Sequence, residues 1–198
     1  MSFTLVDSVN LIALLTFVWW EPSMPSRKDV AWYSQFRSEV SRINPPSWVF
    51  FPVWTVLKGL SVTGMLLFMK WSSEGPNGTG DWTYLAVYIV FIIHTLMKKA
   101  WTMLFFKMRL LGVSFVNVMT TCVTAILLVV FSALSGNNTG YLFPVIVSFF
   151  ALELAWLLFA AVLAGSWWYT FRDPDAPVLS ATFRITGGRR SRNKQEEP

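Results

Sequence analysis

The sequence predicts an all-α integral membrane protein, a bundle of five transmembrane helices. Three observations carry this. Charged residues make up only 14% of the 198 positions, against about 25% in ordinary soluble domains. Hydrophobic residues make up 54%, and the mean hydropathy is +0.49. The apolar residues gather into segments close to the ~20 residues that cross ~30 Å of hydrocarbon. Each segment is too long for a membrane strand, and none alternates apolar with polar. Helices satisfy their own backbone hydrogen bonds, which hydrocarbon demands.

The first segment, residues 3–20, carries Asp7. It lacks the basic start and small-residue cleavage site of a secretory signal. Residues 21–46 form the longest link, mixing charge with Trp32, Tyr33 and Phe36, and are suited to fold over the mouth of the bundle. The second span, residues 47–71, follows Pro45 and Pro46, which lose nothing by lacking N–H groups at a helix start. Pro52 frees a carbonyl near residue 48, so it either simply bends this helix or opens a cavity beside it. The turn Glu74-Gly-Pro-Asn-Gly78 leads to a third span, residues 83–106. The link near Lys107 is so short that the fourth span, residues 110–134, must run antiparallel beside the third. The turn Ser135-Gly-Asn-Asn138 precedes the fifth, residues 141–169. One transmembrane domain thus covers residues 1–172. Residues 173–198 have the composition of a disordered basic tail.

The formal charge of +5 does not point to nucleic acid, because the basic residues sit at helix ends and in the tail. With five spans, Arg27, Lys28, Arg37, Arg42, Lys107, Arg109, Arg172 and the tail's Arg and Lys all fall on one side. The opposite loops carry neither. The positive-inside rule then puts the C-terminus in the cytosol. It does not choose between the mitochondrial outer membrane and the endoplasmic reticulum or secretory membranes. Asn77 and Asn137 begin glycosylation acceptor patterns on the non-cytosolic side. A single cysteine, Cys122, and a single histidine, His94, exclude an intrachain disulfide, a cysteine cluster and a two-histidine metal site.

Three stretches carry a family resemblance. Asn44-Pro-Pro-Ser-Trp-Val-Phe-Phe-Pro-Val-Trp-Thr-Val-Leu57 resembles the signature of the TspO/MBR family, the translocator or tryptophan-rich sensory proteins. Trp101-Thr-Met-Leu-Phe-Phe-Lys-Met-Arg-Leu-Leu-Gly112 resembles its third-to-fourth-span motif. Trp156-Leu-Leu-Phe-Ala-Ala-Val-Leu163, followed by Trp168, resembles its fifth-span motif, and Trp32-Tyr33 sits where the family has Trp-Tyr. The resemblance covers about residues 1–170. It implies a five-helix membrane protein, often a homodimer, that binds porphyrins and in some members sterols. The implied role is receptor, carrier or scavenger, with no cofactor required and porphyrin or haem as ligand. Breakdown of porphyrin is the only enzymatic reading, and it rests on the family alone. The chain departs from the pattern at Lys58 for Tyr, Ser61-Val62 for Met-Gly, Lys98 for Asn, Leu152-Glu153 for Pro-Tyr and Ala164 for Asn. These changes bear on the ligand more than on the fold.

The candidate ligand-binding residues lie on three aromatic stripes. Trp48, Phe51 and Trp54 are spaced by three, Trp101 and Phe105 by four, and Trp156, Phe159, Ala160 and Leu163 fall on the fifth-span motif. Trp32 joins them from the long link. Each stripe alone reads first as bundle packing or interfacial anchoring; together they offer flat apolar walls to a planar macrocycle. His94 either bridges two helices by a hydrogen bond or ligates haem. Lys58, Lys98, Lys99 and Glu153 are charges at membrane depth, which mark functional positions by their cost. Glu153 is expected to pair with Lys98 or Lys58; alternatively the lysines hold an anionic ligand. Leu163, Tyr169 and Arg172 fit a proposed sterol pattern. No nucleophile–base pair, carboxylate dyad or phosphate loop is visible, so the chain is not expected to be an enzyme. A small-molecule or ion transporter using the buried Lys and Glu residues, or a ligand-less membrane scaffold, are the other readings.

Overall fold

The computed structural model describes residues 5–21, 25–39, 44–74, 82–134 and 142–171. The expected tail, Arg172 and both glycosylation patterns at Asn77 and Asn137 lie outside these residues, as does the side chain of Phe51. The described chain is helical: α1 (Leu5–Trp19), α2 (Arg27–Glu39), α3 (Ser47–Glu74), α4 (Trp82–Thr102), α5 (Leu111–Leu134) and α6 (Leu142–Phe171). Four of them, α3 to α6, are long and apolar enough to cross a membrane. Helix α1 has 15 residues, about 22 Å at 1.5 Å per residue, less than the ~30 Å of hydrocarbon. Among the described residues, the first of the five expected spans is represented by this shorter apolar helix, packed on α3.

Helix α2 lies within the link read from the sequence as a loop. Its start is a capping box over Ser26-Arg-Lys-Asp29. The Ser26 N–H donates to Asp29 Oδ2 at 2.8 Å, and the Asp29 N–H points back at Ser26 Oγ at 3.4 Å. One face then carries Trp32, Tyr33 and Phe36, all buried. That face seals the end of the bundle.

The spans pack in the order α1, α3, α6, α5, α4, each chiefly against the next. The ring closes poorly, because α3 and α4 touch little. The short link expected between α4 and α5 does make them neighbours. A π-helical turn over Met103–Lys107 extends α4. The Met108 N–H then reaches Met103 O at 3.0 Å, and Arg109 takes a φ of 58°. That left-handed geometry costs a non-glycine residue about 1 kcal/mol. It turns the chain within three residues and sets the Arg109 guanidinium 5.2 Å from the Trp32 ring centre.

Two apolar cores result. One gathers Trp32, Tyr33, Phe36, Phe105, Leu157, Leu163 and Trp167; the other gathers Met65, Phe68, Phe91, Leu128, Ile146 and Phe150. Large apolar side chains also cover the outside, among them Ile12, Leu85, Val123 and Val162. In lipid such residues gain nothing by hiding, so close packing and polar contacts hold the helices together. Gly165 shows the closeness: a Cβ there would sit 3.1 Å from the Phe115 ring.

Candidate functional site

The gap between α3 and α4 forms a cavity of about 410 Å³. Helix α3 contributes Phe50, Trp54, Thr55 and Lys58; α4 and its π turn contribute Thr95, Lys98, Lys99, Trp101, Thr102, Phe105 and Phe106. Trp167 of α6, Pro25 before α2, Val30 and Tyr33 of α2, and Val18, Trp19 and Glu21 around the end of α1 complete it. The volume lies within the ~300–1,000 Å³ of small-molecule sites.

One end is aromatic. Trp101 stacks on Phe105, with centres 5.1 Å apart and planes 5° apart, and Phe105 stacks in turn on Trp167 at 5.0 Å. Trp54 faces Trp101 at 6.4 Å. The Asn44-Pro-Pro motif fixes this end from outside. Asn44 Oδ1 accepts from the Trp167 indole N–H at 2.6 Å, and the Asn44 carbonyl accepts from Arg37 Nε at 3.3 Å. Burial pushes the Tyr33 phenol up to about 12, against a smaller pull from Arg37. It stays a neutral donor, set toward the Pro45 carbonyl.

The other end is cationic. Lys58 lies one turn beyond Trp54 and pairs with Glu21 at 2.9 Å, with its ammonium 5.9 Å from the Trp19 ring centre. Lys98 pairs with Glu153 at 2.5 Å. Of the two lysines anticipated as partners of Glu153, this is the one that meets it. Glu153 is fully enclosed. Its second oxygen accepts from Ser61 Oγ at 2.6 Å and lies 3.5 Å from His94 Nε2. His94 Nδ1 lies 2.8 Å from Thr124 Oγ1, so the histidine bridges α4 and α5. The cluster links α3, α4, α5 and α6 through polar groups that would each be costly alone.

Near the mouth, Lys107 pairs with Asp29 at 2.6 Å and ties α2 to the π turn. Burial works to raise the Asp29 carboxyl, but hydrogen bonds from Lys107 and Ser26 outweigh it and hold it at about 2.

The predicted site residues divide. Trp54, Lys98, Trp101 and Phe105 line the cavity. Trp32 packs behind it, against Phe105 at 5.4 Å. Trp156 lies behind Trp54, 6.5 Å away edge to face, and Glu153 and His94 lie behind Lys98. Leu163 is buried in the aromatic core, and Ala160 packs at its margin. Trp48 and Phe159 point outward, Trp48 with 73% of its surface exposed. The sterol pattern is not gathered on one face, since Leu163 is buried while Tyr169 is 65% exposed. The second tryptophan of the α6 pair, Trp168, stacks on Phe115, and its neighbour Trp167 meets the cavity. Sequence reasoning also passed over Phe50, Thr55, Thr95 and Thr102. The signal for Phe50 and Thr95 was the four-residue step to Trp54 and to Lys99, and for Thr102 the seven-residue step from Thr95 on one face of α4; Thr55 carried none.

Comparison with known proteins agrees with this architecture. The TspO/MBR family profile matches residues 9–169. The chain is 26% identical over 132 residues to the tryptophan-rich protein TspO of Archaeoglobus fulgidus, covering 67% of this chain and 74% of the relative. No solved structure matches. With four helices fit to cross a bilayer, the chain is an integral, multi-pass membrane protein, and it belongs to the TspO/MBR family.

Proposed function

We propose that the α3–α4 cavity binds a hydrophobic planar ligand, a porphyrin or other tetrapyrrole or a sterol, and that the protein serves as its receptor, carrier or scavenger. The supporting observation is the stack Trp101–Phe105–Trp167 facing Trp54 in a cavity of about 410 Å³. Flat rings in offset contact with such walls gain about 0.5–1.5 kcal/mol each beyond burial. The Trp101 indole N–H is buried without an acceptor among the described residues, so a ligand acceptor would satisfy it.

Titration with protoporphyrin IX in detergent tests this through tryptophan fluorescence. The expected result is saturable quenching, weakened about tenfold by Trp101→Ala and by Trp54→Ala, the loss of roughly 1.4 kcal/mol of stacking and burial. Trp48→Ala, on the outward face, leaves the affinity within twofold. Non-saturable quenching, or equal loss in all three variants, overturns the assignment.

A further inference from the structure

We infer that the outer face of α2, with the π turn beside it, binds the anionic headgroups of phospholipids in the adjoining leaflet. The inference holds whatever the cavity takes. It starts from the two sides of α2. Asp29, Trp32, Tyr33 and Phe36 share one face of the helix, and all four are buried against the bundle. Arg27, Lys28, Ser34 and Arg37 are exposed. The apolar side is thus already covered, and the side left open is polar and basic. Four cations gather there. Asp29 pairs with Lys107 at 2.6 Å, which brings the start of α2, with Arg27 and Lys28, to the π turn. Arg109 follows just after that turn, with its guanidinium 5.2 Å from the Trp32 ring centre. Arg37 donates to the Asn44 carbonyl at 3.3 Å, close before the start of α3. The carboxylates of Asp29 and Glu21 are taken by Lys107 and Lys58. Among the described residues, no carboxylate comes within 4.0 Å of Arg27, Lys28, Arg37 or Arg109.

Two exposed tryptophans name the partner. Trp20 follows the end of α1 and Trp48 stands at the start of α3, 66% and 73% exposed. Indole rings at the ends of apolar helices settle at the level of the headgroups. The cations at the same end therefore stand at the level of the phosphates, and their long stems carry the charge outward to them. A phosphate offers only acceptors, and a guanidinium fork meets two of them at once. Four or more Lys and Arg beside the end of a span are what an anionic leaflet attracts. An acidic protein would match the charge but would leave the tryptophans unexplained. Val30 and Tyr33 of the same helix line the cavity, so headgroups that hold α2 in place also hold that end of the cavity.

The test reconstitutes the full chain in phosphatidylcholine bilayers containing brominated phosphatidylserine or brominated phosphatidylcholine. Bromine on the acyl chains quenches nearby tryptophan, so the two titrations give the relative affinity for the anionic lipid. The expected result is a preference for phosphatidylserine of about tenfold at low salt. It falls toward unity in about 0.5 M NaCl, as screening requires. The double variant Arg27→Gln with Lys28→Gln removes two exposed charges that touch neither the cavity nor a described partner, and the preference falls within about threefold. Arg27→Lys with Lys28→Arg keeps it. A melting curve for each variant confirms that it is folded. Equal quenching by the two lipids in the wild type overturns the inference. A preference that survives the double Gln variant removes the face of α2 as its seat. If poly-glutamate binds the protein in pure phosphatidylcholine bilayers while phosphatidylserine is not preferred, the face takes an acidic peptide and the lipid assignment falls.

Discussion

Lys58, Lys98 and Glu153 stand where the chain leaves the pattern its motifs otherwise follow, and all three find opposite charges nearby. Changes that looked from the sequence like isolated membrane charges are thus two matched pairs. The pairing with Glu153 was legible because a mid-span carboxylate needs a cation. That Glu21 would reach Lys58 was not, because it depends on where α1 ends. At the mouth, Asp29 illustrates a titratable contact outside the spans. Its folded value of about 2 lies below the ordinary 3.8. Its contribution to stability is therefore complete above about pH 4 and is lost as pH falls from there toward 2. Asp29→Asn should lower the melting temperature at pH 7 by about 2–4 °C, the shift made by ~1 kcal/mol in a chain of this size. The variant should also melt more evenly between pH 5 and pH 3 than the wild type does. An unchanged melting temperature at pH 7 would mean that the Lys107 contact does not anchor α2.

At the scale of elements, the apolar spans were readable and the orientation of their faces was only partly so. Residues three apart advance 300° around a helix, so a stripe with steps of three drifts by 60° at each step. Over six residues it swings through ~120°. This is why Trp54 lines the cavity while Trp48 looks outward, and why Leu163 and Tyr169 part company. Helix α2 was hidden by its charges, although Ser26-x-x-Asp29 and the spacing of Trp32 and Phe36 carried its signature. The buried Lys98–Glu153 pair is the sharpest energetic test at this scale. Removing one partner of a buried pair costs about 3–5 kcal/mol, whereas replacing both with apolar groups costs little. Glu153→Gln should therefore lower the melting temperature in detergent by at least ~6 °C. The double variant Lys98→Met with Glu153→Leu should recover most of that loss. A Glu153→Gln protein that melts with the wild type would contradict the role of the pair.

For the whole molecule, composition sufficed to announce a helical membrane bundle, because a 14% charged fraction leaves little choice of solvent. It could not say which spans pack tightly. That depends on the order α1, α3, α6, α5, α4, and on the poor closure between α3 and α4 that leaves room for a ligand. The first span reads as residues 3–20 in the sequence, and the structure describes it from Leu5 as the helix Leu5–Trp19. The central claim is that this one cavity holds the ligand. Binding stoichiometry for protoporphyrin IX, measured by equilibrium dialysis in wild type and in Thr55→Trp, tests it most directly, because the larger side chain would fill the cavity from α3. The account predicts about one equivalent per chain for the wild type, and none for a Thr55→Trp protein that still melts within a few degrees of it. A filled variant that still takes up one equivalent would place the ligand elsewhere and contradict the account.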